Sequence, residues 1–407
     1  AGKATELKPG DTVLIKTGVY REHAEITVSG APGKPLTFAA APGHRVVIKG
    51  SEIVRGFGLT ASKVHDVVLR GLEVRHNRQP GGQWPLAAIS GCEWVTLEDC
   101  EVHFADFCGL SLHSSKDCLV RRCDFSHNGA IGLAMGATED CVVEDCTLMF
   151  NNYRRIDGDW GVAAGTKNIP GNKRTTMRRC EAAYNLDCRG IWFDTDNDDI
   201  RILDNVCHHN GDCGIFFEIN KGGGVIAGNL IYANTGRGIY VSGSQNTWVV
   251  NNAVADNAAG IVVMTRGADE PAKNTKVLNN LLLKNYITAD TTTRGCGLTL
   301  EMSPDPTWRA DMGSVADYNV YANNPWTPFM RHTWNDNNPL AQWQARYQQD
   351  LHSRLLNVAY ERVGTRFSLL TQEGLDAAAP LPEAVTQVWK PRNPKRVGAD
   401  LTQWPKP

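Results

Sequence analysis

From Arg201 to Asn234 the chain reads RILDNVCHHNGDCGIFFEINKGGGVIAGNLIYAN. Asn205 and Asn210 recur as Asn229 and Asn234, and Ile202 recurs as Ile226, so two successive stretches carry like residues at like places. Outward from this stretch, Cys100, Cys123, Cys146, Cys180, Asn205, Asn229, Asn252 and Asn280 all occupy the first of these positions, mostly 23 to 28 residues apart. Three residues before each stands an apolar residue: Leu97, Val120, Val143, Met177, Ile202, Ile226, Val249 and Val277. Five residues after it, from Cys123 onward, Asn follows in every unit: Asn128, Asn151, Asn185, Asn210, Asn234, Asn257 and Asn285. A Gly–aliphatic pair comes next, as in Gly132-Leu133, Gly190-Ile191, Gly214-Ile215, Gly238-Ile239 and Gly260-Ile261. Agreement at this period marks an internal repeat.

A unit of roughly 24 residues also suits a leucine-rich repeat. That solution needs a leucine-rich consensus and often a helical stretch, and neither is present. Each unit instead holds two or three short β-branched or aliphatic runs with period-two alternation, punctuated by Gly and Asn. The economical fold is all-β: a right-handed parallel β-helix, a pectate-lyase-like solenoid with one coil per unit. Identical positions then stack at roughly 4.8 Å. Stacked Asn side chains can bond along a ladder, and the stacked cysteines read as reduced, buried and apolar rather than as disulfides.

The remaining composition bounds the class. The 407 residues are 42% hydrophobic and 21% charged, with 42 basic against 44 acidic side chains. No apolar run approaches membrane-spanning length, and a net charge of -2 without a basic block argues against a nucleic-acid partner. Gly 39 and Pro 19 are too few for a fibrous or disordered chain. Without a CxxC pair a structural zinc site has little support. Ala1 is not an initiator Met and no signal peptide is present, so either a leader has been removed or the sequence begins inside a longer chain. The repeat stops after about Ala316, and Tyr318, Tyr321, Trp326, Phe329, Trp334 and Trp343 become dense. The expected organisation is a β-helix over residues 1–316 and a capping segment over 317–407 packed on the same solenoid. Oligomeric state is not legible.

The strand after each Gly–aliphatic pair carries the chemistry. Ile191 and Phe193, Ile215 and Phe217, and Ile239 and Val241 face the core by alternation, so the residues between them face outward. The outward pairs run Ser111 and His113, Ala134 and Gly136, Ala163 and Gly165, Trp192 and Asp194, Phe216 and Glu218, Tyr240 and Ser242. Asp194 and Glu218 thus share a register in adjacent coils, about 5 Å apart. Retaining glycosidases hold two carboxyl groups about 5 to 5.5 Å apart. Like charges so close do not both ionise freely, the condition a general acid needs. Trp192, Phe216 and Tyr240 are expected to form an exposed aromatic ladder for a sugar ring, with the small residues of the preceding coils as a shallow floor. Asp196 and Asn220 are candidates for sugar hydroxyls. His113, with Arg155 and Trp160 from an insertion between Cys146 and Gly161, completes the expected binding set. A second insertion lies between Asn280 and Gly297, and the two are expected to wall a cleft. Glu301 shares the carboxylate register three coils beyond Glu218. Asp194, Asp196, Asp198 and Asp199 offer oxygen ligands that suit calcium, although no cofactor is required and the spacing is not that of an EF-hand.

Two segments carry resemblances. Leu7-Lys8-Pro9-Gly10-Asp11-Thr12-Val13-Leu14-Ile15, with Gly18-Val19-Tyr20-Arg21-Glu22, resembles the opening of many secreted right-handed β-helix proteins. Gly190-Ile191-Trp192-Phe193-Asp194, followed by Ile215-Phe216-Phe217-Glu218-Ile219-Asn220, resembles the active-site segment of parallel β-helix glycoside hydrolases, notably the β-xylosidases and related xylanase or fucosidase families. In the β-xylosidases the Asp of the first motif is the nucleophile and the Glu of the second the acid/base. The resemblance implies those roles for Asp194 and Glu218. Phe193 stands where the family often has Leu. The resemblance implies a carbohydrate substrate of the plant or algal glycan type, with xylan-derived chains among the candidates, and a secreted or periplasmic home.

Two other classes compete. A polysaccharide lyase or uronate epimerase needs a basic catalytic side chain and neutralisation of a uronate carboxylate, and the outward stripe near the acids reads as not basic. A non-catalytic glycan-binding β-helix would bind without cleavage, unaffected by amidation of both acids.

Overall fold

The computed structural model describes residues 7–54, 58–78, 83–156, 161–267, 269–285, 297–302, 312–323, 329–331, 338–363, 366–371 and 373–400. The chain divides into two compact units, Ala1–Trp192 and Phe193–Pro407, and parallel coils of the predicted kind build both.

In the first unit each strand pairs in parallel with its counterpart one coil on. Val120 partners Leu97 on one side and Val143 on the other, so the apolar residue preceding each cysteine forms a continuous buried stripe. On a second sheet Leu110 partners Leu133, which partners Thr166. Within Cys108–His113 the alternation is visible: Leu110 and Leu112 are buried while His113 is exposed. Cys100, Cys123, Cys146 and Cys180 are free thiols at 2% exposure or less. Each turns onto a backbone carbonyl, as Cys123 Sγ does onto Arg121 O at 3.2 Å. Cys92, Cys118 and Cys141 are likewise free and buried.

In the second unit asparagine replaces cysteine, and the ladder becomes hydrogen-bonded. Asn205 donates its backbone N–H and its Nδ2 to Asn229 Oδ1 at 2.9 and 3.0 Å. Asn229 does the same to Asn252, and Asn252 to Asn280. The later Asn row repeats this through Asn210, Asn234, Asn257 and Asn285. Asn128, Asn151 and Asn185 form the corresponding row of the first unit. An Asn side chain offers both a donor and an acceptor, so a stack of them satisfies backbone groups that a buried turn would otherwise leave unpaired.

The strand pairing runs past Ala316. Val315–Asp317 pairs with Lys276–Leu278, Val320–Ala322 with Leu281–Leu283, and Arg354–Leu356 with Val320–Ala322. The Asn ladder also gains a rung, because Asn280 donates to Asn319 Oδ1 at 2.9 Å. The expected division at 316 therefore falls inside the last coil. The ladder ends on the buried Asp350, whose carboxylate accepts from Asn319 Nδ2, Trp343 Nε1 and Tyr321 OH. Trp343 lies on the helix Leu340–Tyr347 and is fully buried. Beyond it the chain lies along the flank of the coils. Phe367, Leu375, Val397 and Ala399 cover the outward residues Leu230, Tyr232, Ala253 and Leu281. That cover explains why Leu230–Tyr232 and Leu281–Leu283 are buried throughout instead of alternating. Trp326 and Trp334 lie outside the described residues. Among the described residues no helix is long and apolar enough to cross a membrane.

Candidate active site

Asp194 ends the strand Arg189–Asp194 and Glu218 ends the strand Ile215–Glu218. Thr195 N–H donates to Glu218 O at 2.9 Å, and one coil on Ile219 N–H donates to Ser242 O at 2.8 Å. In the second case Glu218 partners Ser242 directly, so the same bond puts Asp194 opposite Glu218. Both are buried, at 7% and 3% exposure. Asp194 Oδ1 accepts from Thr195 Oγ1 at 2.8 Å.

Immediately after each carboxylate the backbone turns through the left-handed region, at Thr195 (φ 58°) and Ile219 (φ 52°). The same step is taken by Ser114, Ala137 and Gly243 in other coils. A β-branched residue is disfavoured there, and Thr195 and Ile219 follow the two carboxylates. The turn is held by a polar row. Asn197 donates its N–H and Nδ2 to Asn220 Oδ1 at 3.1 and 2.8 Å, and Asn220 Nδ2 donates to Phe193 O at 3.0 Å. Asn197 Nδ2 also reaches Asp194 O at 2.9 Å. Asn220 is fully buried and spends its side chain on this row, so it is a positioning element and not the hydroxyl ligand expected from sequence.

Arg266 is the residue that sequence reading missed. It follows the strand Ala259–Met264, yet its guanidinium pairs with Glu218, across the intervening strand Arg237–Ser242. Ser242 and Gly243 leave it room: a Cβ on Gly243 would lie 3.4 Å from Arg266 Cδ and 3.2 Å from Glu270 O. Glu270 holds Arg266 Nε from the other side at 3.4 Å.

Of the expected aromatic ladder the Phe216 and Tyr240 rungs stack, Phe216 buried and Tyr240 half-buried rather than exposed. Phe216 stacks on Tyr240 with ring centroids 4.7 Å apart and planes 1° from parallel, the spacing of one coil. Arg237 lies over Tyr240 at 4.4 Å, and burial raises the Tyr240 phenol above its ordinary pKa. Trp192 is 4% exposed. Lys167 Nζ stands 3.2 Å from its ring centroid and Arg189 Cζ 4.8 Å.

Lys167 also corrects the register of its coil. The strand is Ala164–Asn168, in which Ala164 partners Ile131 and Lys167 partners Ala134. Gly165, not Gly161, is therefore the ladder glycine, and a Cβ on it would lie 2.6 Å from Gly190 O. The shallow floor of Ala163 and Gly165 is replaced by Lys167.

The sequence matches the family model described as "Right handed beta helix region" over residues 87–254 and 218–305, more than half of the chain. The chain belongs to this right-handed β-helix family. No curated protein sequence matches it. Among solved structures, this β-helix is similar to the Azotobacter vinelandii mannuronan C-5 epimerase AlgE4 A-module, with 18% identity and a TM-score of 0.57 over 86% of this chain and 91% of that one. It is similar to XylC in complex with xylose, with 11% identity and a TM-score of 0.60 over 90% and 84%. The PL6 family alginate lyase AlyGC follows with 14% identity and a TM-score of 0.51, over 90% of this chain and 53% of that one. At these identities the likeness is one of fold. These neighbours are carbohydrate-active enzymes of different reaction types.

The other predicted residues of the β-helix scatter. Asp196 is exposed. Asp199 pairs with Arg201 at 2.6 Å, and among the described residues no three His, Cys, Asp or Glu side chains converge on a metal position. His113 is exposed, three coils before Asp194, with Nδ1 at 2.7 Å from Ser114 Oγ. Arg155 pairs with Asp187. Trp160, with Asp157 and Asp159, lies outside the described residues, as does most of the second insertion. The described part of the first insertion folds back, Tyr153 OH donating to Ala105 O at 3.3 Å and Ile156 packing near Phe107 and Ile131. Glu301 loses its register: Met264 partners Met302 across a bulge, and Glu301 accepts the N–H groups of Met312 and Ser314 at 3.1 and 2.8 Å.

Proposed function

We propose that this chain is a retaining glycoside hydrolase acting on a plant- or algal-type polysaccharide or oligosaccharide. The observation that carries the reading is the pair of buried carboxylates in register on adjacent strands, the close separation that double displacement uses. Asp194 attacks the anomeric carbon while Glu218 gives its proton to the departing oxygen, leaving a glycosyl ester on Asp194. Glu218, now a carboxylate, takes a proton from water, the water oxygen bonds to the anomeric carbon, and Asp194 is released. Arg266 stabilises the anionic form of Glu218 that the second step needs. Activity on such glycans implies a secreted or periplasmic home. Asp194→Ala should abolish turnover, and added azide should restore it with a glycosyl azide as product. Hydrolysis undiminished in that variant removes Asp194 from the mechanism.

A second reading, lyase or uronate epimerase, is favoured by the cations Arg237 and Arg266 on the strands that follow Glu218, which suit neutralisation of a uronate. Growth of the unsaturated-uronate absorbance on digesting anionic glycans would select it over hydrolysis.

A further inference from the structure

We propose that Glu270 is a positioning residue for the acid/base step: it gives Arg266 a second anion, so that Glu218 holds its proton until the leaving oxygen takes it. The inference rests on the reading of Asp194 as nucleophile and Glu218 as acid/base, and every residue it uses lies in the unit Phe193–Pro407. A general acid must stay protonated at the working pH, yet a guanidinium against a buried carboxylate favours the charged form. Arg266 alone would therefore favour the second step and oppose the first. Glu270 resolves this conflict. One guanidinium faces two carboxylates, Glu218 through Nη1 and Glu270 through Nε, the latter at 3.4 Å. With Glu218 protonated, Arg266 and Glu270 remain as a neutral pair. Without the Glu270 charge, the same protonation would take the Glu218–Arg266 pair from neutral to net positive, which resists it.

The loop after Met264 holds this arrangement in place. Glu218 partners Ser242, Ser242 partners Met264, and Arg266 stands two residues further along. Thr265 Oγ1 accepts the N–H of Ala272 at 3.0 Å, and both residues are buried. Inside that closure Arg266 N–H donates to Glu270 O and Glu270 N–H to Gly267 O, each at 3.1 Å. A Cβ on Gly243 would lie 3.3 Å from Glu270 Cβ, so the loop rests directly on the turn after Ser242. Arg266 and Glu270 are half-buried and Glu218 is buried, so their charges act on one another more strongly than in bulk water. Other groups bear on the same proton. Asp194 faces Glu218 from the preceding strand and opposes its ionisation. Tyr240, with Arg237 over its ring at 4.4 Å, stands on the following strand. Once Asp194 carries the glycosyl ester its charge is gone, and Arg266 then draws Glu218 to the carboxylate that activates water.

The test follows Glu218 itself and turnover side by side in the full chain. Glutamate is isotopically labelled at the side-chain carboxyl carbon, the Glu218 signal is assigned by its loss in Glu218→Gln, and its titration is read by NMR. We expect Glu270→Gln, which keeps the loop's backbone bonds, to lower the Glu218 midpoint by about 0.5 pH unit, roughly threefold in the proton-binding constant. Arg266→Met should raise the midpoint by about one unit or more, and in that background Glu270→Gln should add little. Turnover is measured on phenyl and 4-nitrophenyl xylosides, fucosides, glucosides and galactosides of both anomeric configurations. On the alkaline side of the profile Glu270→Gln should lower kcat/KM for the phenyl glycoside about threefold and for the 4-nitrophenyl one less, because 4-nitrophenolate departs with little need of a proton. A Glu218 midpoint unmoved by Glu270→Gln, or moved equally in the Arg266→Met background, overturns the inference and leaves the glycosidase reading to stand on cleavage alone. The expected shifts without cleavage of any glycoside uphold the sharing of Arg266 and remove the glycosidase reading.

Discussion

Replacing Asn220 with Ala separates a positioning role from a direct role in sugar binding. The side chain accepts two bonds from Asn197 and donates one to Phe193 O, the carbonyl preceding Asp194. Removing it strands the buried backbone N–H of Asn197, which costs about 1–3 kcal/mol, and forfeits two further bonds worth about 0.5–1.5 kcal/mol each. The expected sum is about 4 kcal/mol, or ~900-fold in the local opening constant. Because coiled arrays need not unfold in one step, the suitable assay is native-state hydrogen exchange at the Asn197 amide. Its protection should fall by about three orders of magnitude, and kcat should fall with it, since Asp194 and Glu218 both sit on the strands that this row anchors. Unchanged protection at Asn197 combined with a raised KM would show Asn220 contacting substrate, and the positioning argument would fail.

Other perturbations probe separate parts of the coil. His209 is pushed down to about 4 by burial first, then by His208 and Arg362. The unfolded chain, with the ordinary value of 6.5, takes up this proton first, so the contribution is present above about pH 6.5 and is lost as pH falls towards about 4. His209→Gln should flatten that part of the thermal-midpoint profile, and an unaltered profile would assign the dependence to other groups. Gly243→Ala introduces a side chain at φ +57° and should cost about 1–2 kcal/mol, read as a lower thermal midpoint; a midpoint equal to the parent's contradicts the strain. The eleven described cysteines are free and buried, and burial pushes the Cys108 thiol up to about 12. They should resist alkylation until denaturant is added, with no loss of stability in reducing agent; labelling of any of them in the native protein would count against the thiol ladder.

The parts of the fold legible in sequence are those in which one coil repeats the chemistry of the next. The Asn rows and the cysteine row were readable because each position does the same task at every rung. The register of Asp194 and Glu218 was readable for the same reason, since Gly190 and Gly214 precede them at equal distance. Lys167 was hidden by the insertion before it, which offers Gly161-Val162 as a false match. The signal that would have found it is the count forward: fourteen or fifteen residues separate Gly109 from Cys123, Gly132 from Cys146, Gly165 from Cys180 and Gly190 from Asn205. Gly165 is followed by Thr166 instead of an aliphatic residue, and so escaped the pattern. Arg266 left no such trace, because it skips a coil and no within-repeat rule predicts a partner two rungs away. Glu301 failed through the bulge opposite Val262 and Met264, which period counting does not see.

Arg266 meets Glu218 by passing over one rung, and the Asn rows make rungs interchangeable. Axial separation in this protein is thus a whole number rather than a continuous length. Excising residues 229–251 would splice Asn252 onto the partners of Asn229, take away Tyr240 and Ser242, and bring Arg266 onto the rung next to Glu218. Lineages that gain or drop a single turn can therefore retune this charge pairing without altering either side chain.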